Sequence, residues 1–204
     1  MMGLKLLISH FVEKTNVLGP FERSAVWVHG CCFSCEGCMA KPQYTNPFEI
    51  EAQCLADKFC GVSGTEGVTI SGGEPFLQAD ALAEFLEAVT ARRDYGVIIY
   101  TGFGHEELVS RAAGDSGIDK LLGFVDILID GPYVEALDDA KPYRGSSNQR
   151  IIQLSERYAG VFDSYYSTGN RRMEINVSLS GTILTGIPSK AGLEAWKRMQ
   201  EGAV

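Results

Sequence analysis

The sequence predicts an α/β fold, a partial (β/α) barrel of about five to six parallel strands with helices packed outside. Short, continuous apolar runs alternate along the chain with stretches that repeat apolar residues at helical spacing. Strands buried on both faces belong to parallel sheets covered by helices. The residues with chemical potential follow these runs: Cys31, Gly72, Thr101 and Asp130 each stand at the carboxyl end of one. Parallel α/β architectures gather their sites at that end. Length supplies the third observation. At 204 residues the chain is too short for eight β/α units, which take about 250 residues, so the barrel is incomplete and its crossovers are right-handed.

Residues 4–12 (LKLLISHFV) read as an apolar opening strand, and residues 25–30 (AVWVHG) as a second that runs into a cysteine-rich loop. After a polar, proline-containing connection, residues 50–59 carry apolar side chains at helical spacing and stop before Gly61, a helix-ending signal. Residues 67–71 (GVTIS) form a short buried strand, cut by the pair Gly72–Gly73. Asp80 is placed to cap a helix over residues 81–92, where Leu82, Phe85, Leu86 and Val89 share one face. Residues 96–102 (GVIIYTG) give the next strand, 105–113 a helix, and 125–131 (VDILIDG) a further strand. The tail changes character: residues 173–187 read as two strands around a turn at Ser180 and Gly181, with a short helix from Lys190.

One domain over residues 1–204 is expected, with a core at 20–135 and a C-terminal extension at 140–204. A content of 45% hydrophobic and 22% charged residues supports one buried core. No repeat, low-complexity tract or linker divides it. The 18 Lys and Arg against 26 Asp and Glu leave a net charge of −8, which argues against nucleic-acid binding. The charges are dispersed, as on solvated faces. No apolar stretch reaches the roughly 20 residues of a membrane span, and no secretory h-region with a cleavage site is found. The expected setting is the reducing cytoplasm, where thiols stay unpaired.

The most specific signal is GCCFSCEGCMA, which sets Cys31, Cys35 and Cys38 in the spacing CxxxCxxC. Three thiolates in one short loop hold three corners of an iron–sulfur cube and leave the fourth iron open. Electron-transfer clusters have every iron capped by protein, so an open iron reads as a binding position. Paired cysteines and a Cys3His zinc site using His29 are the alternatives, since soft thiolates suit zinc and iron–sulfur alike. SGGEP (residues 71–75), about one strand and one helix later, is not required by a zinc knuckle. Cys32 has the wrong spacing. Cys54 and Cys60 fall on or at the end of a helix, where a free cysteine acts as a small buried hydrophobe. The reading is one cluster and three spare structural thiols. His10, His29 and His105 read as structural.

CxxxCxxC followed by SGGEP resembles the radical S-adenosylmethionine superfamily. NVLGPFERSAVWVHGC, SGGEPFLQ, YTGF, VDILIDGPY and RGSSNQR occur in the order found in the activating proteins of anaerobic ribonucleotide reductase, and the likeness runs over residues 4–185. RGSSNQR (residues 144–150) is the most discriminating part, and Gly37 also looks like this subgroup. The resemblance implies the radical S-adenosylmethionine type of partial barrel and one 4Fe–4S cluster. It implies an oxidoreductase that reductively cleaves S-adenosylmethionine to a 5′-deoxyadenosyl radical and takes a hydrogen from a glycyl-radical enzyme or other protein partner. A flavodoxin or ferredoxin is the implied electron donor, and no general acid or base is needed.

The resemblance also implies roles. Cys31, Cys35 and Cys38 would ligate the cluster. Gly72 and Gly73 would let the backbone approach the ligand, which a Cβ would obstruct. Glu74, or the carbonyls beside it, would meet the methionine ammonium. Thr101 and Asp130 would contact the methionine and ribose portions, Gly37 the adenine. Ser147 and Asn148 would shape the same side of the pocket, and Arg144 or Arg150 would hold a carboxylate. A plain tight turn at the glycines and a cap or turn at a lone Asp are the ordinary readings. The chain departs from the family at Met39, Ala40 and Tyr44, where relatives carry Asn and Trp, and at Pro132, where some carry Lys. Its tail is also longer than in the smallest activators. These departures bear on the partner. Two other functions stay open: a radical S-adenosylmethionine enzyme acting on a peptide or small molecule, and a non-catalytic metal-binding module.

Overall fold

A computed structural model describes residues 3–40, 46–178 and 181–201. Seven strands share one sheet: β1 (Lys5–Thr15), β2 (Arg23–Val28), β3 (Phe48–Glu51), β4 (Gly67–Gly72), β5 (Gly96–Tyr100), β6 (Ile127–Asp130) and β7 (Arg150–Gln153), in the spatial order 3-1-2-4-5-6-7. β2, β4, β5 and β6 are parallel neighbours. β1 pairs antiparallel with both β2 and β3, and β7 pairs antiparallel with β6. The fold is therefore mixed α/β with a parallel centre of four strands, fewer than the expected five to six. The connections explain the difference. β1 reaches β2 through residues 16–22, too few for the crossover that a parallel pair needs. Between β6 and β7 the chain carries only a single 3-10 turn, Glu135–Leu137, so no helix returns it across the sheet.

The helices are α1 (Ala52–Gly61), α2 (Ala79–Thr90), α3 (His105–Ala112), α4 (Ser116–Gly123), α5 (Phe162–Thr168) and α6 (Lys190–Glu201). Two starts differ from expectation. Residues 48–51 are the edge strand β3, so α1 begins later and includes Gly61. A 3-10 turn, Pro75–Gln78, feeds straight into α2, which leaves Asp80 in the first turn rather than at the cap. β8 (Met173–Ser178) and β9 (Gly181–Gly186) form a separate antiparallel hairpin, as the tail suggested. The Ser180 part of its turn lies outside the described residues.

Strand alternation divides the sheet into two unlike faces. Val26, Val28, Val68, Ile70, Ile99 and Leu128 face Leu55 and Phe59 of α1, the predicted stripe Leu82, Phe85, Leu86 and Val89 of α2, and Ile118 and Leu121 of α4. Each such side chain taken out of water contributes roughly 1.5–3 kcal/mol. On the other face lie Trp27, Ile98, Tyr100, Ile127 and Ile129, with Tyr143 and Tyr158 brought from beyond β6. That face is closed at the amino ends of the parallel strands by Arg23, which is fully buried. Its Nε donates to Thr69 Oγ1 at 2.9 Å, and its Nη2 donates to the Val68 and Gly96 carbonyls. Its Nη1 pairs with Glu66 and reaches the Tyr158 hydroxyl at 2.7 Å. Gly67 makes room, because a Cβ there would lie 2.6 Å from Arg23 Nη2. With the amino end plugged, the open space lies at the carboxyl end.

Candidate active site

The carboxyl ends of β2, β4, β5 and β6 surround an open cavity of about 900 Å³, mouth included, on the face away from α1 and α2. Cys31, Cys35 and Cys38 line it, together with Gly72, Gly73, Glu74 and Thr101. These seven predicted residues, from three separate loops, are thus brought together. Gly37, Asp130, Ser147 and Asn148 are not on this lining.

The cysteine loop is held by its neighbours. Gln78 accepts from the Leu7 amide at 2.8 Å and donates to the carbonyls of Leu7 and His29, tying the start of the loop to β1. The amides of Gly73 and Glu74 donate to the carbonyls of Val28 and Gly30 at 2.7 and 2.8 Å. The glycine pair is what permits this contact. Gly72 has φ +107°, and a Cβ on Gly73 would lie 1.9 Å from the Gly30 carbonyl oxygen. The sequence suggested that these glycines clear space for a ligand; they clear it for the backbone of the cysteine loop. Within that loop the Phe33 amide donates to Cys31 Sγ at 3.4 Å. Burial holds the Cys31 thiol above its ordinary range.

Glu74 is fully buried, and its carboxylate is engaged on both oxygens. Oε1 accepts from the Thr101 hydroxyl at 2.8 Å and the Phe76 amide at 3.0 Å, and Oε2 accepts from the Gly102 amide at 2.8 Å. Burial pushes its pKa up against the pull of these donors. Glu74 therefore ties the end of β4 to the end of β5, and the carboxylate itself has little left to offer an ammonium group. Thr101 lines the cavity through the same bridge.

Asp130 departs furthest from expectation. It is almost fully buried behind the cavity, where it accepts from the His105 amide at the start of α3 at 2.8 Å and from Arg150 Nε at 3.0 Å. It caps a helix and holds an arginine rather than facing a ribose. In RGSSNQR, Ser147 and Asn148 are exposed and Asn148 donates to the Pro132 carbonyl. Gly145 and Gln149 reach the cavity instead. Gln149 organises the turn by accepting from Gly145 N at 2.7 Å and donating to Gly131 O at 2.9 Å. Arg144 pairs with Asp139, and Arg150 with Asp130 and Glu106, so both arginines hold internal carboxylates. Gly37, with φ +68°, packs by Tyr133 and Glu135 in the adjoining groove.

The remaining thiols and imidazoles stand apart. Cys32 is exposed and off the cavity lining. Cys60 packs against the core, whereas Cys54 is exposed on α1 rather than buried as expected. His29 is engaged by Ser9 Oγ at 3.1 Å and does not line the cavity. Sequence reasoning passed over Trp27, Phe33, Tyr100, Gln149 and Ile187, all on the lining. Strand alternation held the signal for two of them, since Trp27 and Tyr100 are out of phase with Val26, Val28 and Ile99.

Among the described residues no three His, Cys, Asp or Glu side chains converge on a single-ion site. A 4Fe–4S cube asks for something else: soft donors spread around a space, with N–H groups on the sulfurs. Three cysteine thiols outside any disulfide on one cavity, with an amide already directed at Cys31, fit that group.

Comparison with known proteins gives the class first. Residues 17–152 match the family described as 4Fe-4S single cluster domain. An anaerobic ribonucleoside-triphosphate reductase-activating protein of Vibrio cholerae serotype O1 is 31% identical over 151 residues, covering 68% of this chain and 92% of its own. The protein of the same description from Salmonella typhimurium is 31% identical over 150 residues, with the same coverage. That from Enterobacteria phage T4 is 28% identical over 142 residues, covering 66% of this chain and 86% of its own. The chain belongs to the family of anaerobic ribonucleoside-triphosphate reductase-activating proteins.

Proposed function

We propose that this protein is a radical S-adenosylmethionine activase that generates a glycyl radical on an anaerobic ribonucleotide reductase. The observation that carries it is the convergence of Cys31, Cys35 and Cys38 with the Gly72–Gly73 loop on one open cavity, in a chain of the activating-protein family. Bound there, the cluster would supply the single electron for reductive cleavage of S-adenosylmethionine, the chemistry by which a hydrogen would be removed from the partner's glycine.

The chain's own residues hold and orient. Cys31, Cys35 and Cys38 would hold three irons of the cluster, and the Phe33 amide on Cys31 Sγ would tune that sulfur. The backbone beside Gly72 and Gly73, with Thr101, receives the methionine end. Glu74 acts by bracing β4 to β5. Asp130, Ser147 and Asn148 support the rim from behind. The four parallel strands with their antiparallel flanks are read as a partial (β/α) barrel, whose open side admits a segment of the partner. Among the described residues no helix is long and apolar enough to cross a membrane. A cytoplasmic setting, with a flavodoxin or ferredoxin as donor, completes the proposal.

Anaerobic reconstitution tests it. The reduced protein should show a cluster signal in electron paramagnetic resonance that shifts on adding S-adenosylmethionine. Mixing with the anaerobic reductase of the same organism should then yield a carbon-centred doublet. A cluster signal indifferent to S-adenosylmethionine sinks the proposal.

A further inference from the structure

The stretch beyond the family match, which ends at residue 152, ties the two flanks of the sheet to each other. Arg171, its side chain almost fully buried, pairs with Asp138 at 2.9 Å. It also donates to the carbonyls of Lys141, Arg144 and Gly145, all in the connection from β6 to β7. Its neighbours reach the opposite flank. Arg172 donates to the Asn16 carbonyl at 2.7 Å, and Glu174 accepts from the Thr15 hydroxyl at 2.6 Å and the Asn16 amide at 3.1 Å. Thr15 ends β1, so residues 171–174 bridge β1 to the far side of β6 across the width of the parallel strands.

The return strand β9 then delivers a wall. Gly186 and Ile187 line the cavity with Leu18 and Trp27, and Pro188 lines the adjoining groove with Cys38 and Met39. Residues 186–188 thus run along the side of the cavity from its floor toward the cysteine loop. Their path is fixed. Gly186 sits at φ +105°, where a Cβ would lie 2.6 Å from the Arg172 carbonyl oxygen, and the Pro188 carbonyl accepts from Arg171 at 3.5 Å. On this fixed stretch Ile187 places a β-branched apolar side chain, which has few rotamers to choose from.

Cofactor chemistry shared by the family does not need this wall. The activating proteins of Vibrio cholerae and Salmonella typhimurium are matched over nearly all of their own length, which leaves them little chain to build a counterpart. What an added wall can govern is the part of the reaction that differs between members, the polypeptide that receives the radical. An extended segment passes a fixed apolar wall only where its side chains are small. The target glycine has none, so the residues flanking it decide the fit.

We propose that Ile187 is a specificity-determining residue for the partner: it limits the size of the side chains that flank the glycine brought to the cavity. This rests on the activase reading above.

The test uses full-length reconstituted protein and the anaerobic reductase of the same organism, with each residue flanking the target glycine replaced in turn by Leu. The quantity read is glycyl radical formed per 5′-deoxyadenosine released. A single methylene in a hydrophobic site is worth about 10–200-fold, so with wild type this ratio should be at least about tenfold lower on one or both Leu reductases than on the native one. Ile187→Ala should recover most of that loss, and Ile187→Phe should lower the ratio on the native reductase. Circular dichroism and a thermal melt check that each variant folds; where the Phe variant does not, the Ala comparison decides alone. Equal ratios on the native and both Leu reductases, no recovery in Ile187→Ala, or an unchanged ratio in folded Ile187→Phe overturns the inference. Loss of 5′-deoxyadenosine release in Ile187→Phe, together with loss of the spectral shift on adding S-adenosylmethionine, assigns the side chain to the cofactor site. That result also overturns the inference and leaves the activase standing. Absence of 5′-deoxyadenosine from the wild type removes both.

Discussion

The two faces of the sheet are made from alternate residues of the same strands, and they are stabilised by different physics. The helix-covered face is apolar throughout, with Leu55, Phe59, Leu82, Phe85 and Leu86 all fully buried. Many similar contacts share the load there. The opposite face has the buried cation Arg23, whose donors satisfy Thr69, Glu66, Tyr158 and three carbonyls, and above it an open cavity. A cavity site cannot be filled with packed side chains, so its walls need anchors of another kind. Glu74, Gln78 and Gln149 supply them by hydrogen bonds between loops. The lesson is a division of means: packing stabilises one face, and on the other a few hydrogen-bonded anchors hold both the fold and the site.

The largest expected contrast lies among the cysteines. Alanine at Cys31, Cys35 or Cys38 should remove the reconstituted iron and all radical formation while leaving the fold intact, because none of the three belongs to the core. Alanine at Cys54, exposed on α1, should change neither. Iron per chain and a melting curve for each variant decide the matter. Iron lost with Cys54 and kept without Cys35 would reverse the assignment.

A stability comparison comes next. Arg23→Met removes a fully buried guanidinium, but Glu66 is 25% exposed, keeps the Tyr158 hydroxyl and lies near Arg157, so the cost should fall below the about 3–5 kcal/mol of breaking a fully buried ion pair. Leu86→Ala on the helix-covered face opens a cavity and costs about 2–5 kcal/mol. Urea denaturation measures both. The contrast sharpens in the site: Arg23→Met should also lower S-adenosylmethionine affinity by loosening the cavity floor, and Leu86→Ala should not. A more stable Arg23→Met protein would show that the network serves geometry alone.

These two faces were not equally legible in the sequence. The helical stripe of α2 and the strands β2, β4, β5 and β6 announced themselves through apolar period, and the glycine pair and cysteines through spacing. The edges did not. β3 (FEIE) and β7 (RIIQ) are four residues each and exposed, so they carry too little pattern. α4 hid its start in Asp115, whose side chain caps Gly117 and Ile118. In the site, Cys31, Gly73 and Thr101 reach the cavity lining because the backbone at the strand ends dictates their position. Expectation failed where a side chain chooses between two sides of a loop: Asp130 turned outward to α3, and Gln149 turned in where Ser147 and Asn148 were expected. Partners distant in sequence decide such turns, and Arg150 for Asp130 is the clearest case.

A pH-dependent effect of intermediate size follows from His10, whose ring stacks on Trp27 at 4.3 Å. Burial lowers its pKa from 6.5 to about 4. The folded value is depressed, so the neutral ring contributes fully above pH 6.5, and this stability is lost as pH falls toward 4. At about 1.4 kcal/mol per unit the whole effect is no more than about 3.5 kcal/mol. His10→Phe should flatten the stability profile across that window, measured by urea midpoints at a series of pH values. An unaltered acid limb would assign it to carboxylates elsewhere.

The smallest effect is expected at Asp130→Asn, and it tests which side of the rim this residue serves. Asparagine keeps an oxygen for the His105 amide and loses the charge that holds Arg150. Arg150 is not stranded by the change, since its side chain is 49% exposed and also pairs with Glu106. The cost should therefore be only about 1–2 kcal/mol, in the range of a hydrogen bond to a charged group. Cluster content and S-adenosylmethionine affinity should stay within about twofold of wild type, because the carboxylate faces α3 and not the cavity. Isothermal titration and a thermal melt on the same preparation separate the two outcomes. Affinity falling about tenfold, which is about 1.4 kcal/mol of binding, with an unchanged melt would return Asp130 to the ribose contact that the sequence suggested. In that case Arg150 would have to release the carboxylate when the ligand binds. The unaltered affinity expected here instead leaves the rim of β6 as scaffolding and the chemistry to the loops after β2, β4 and β5.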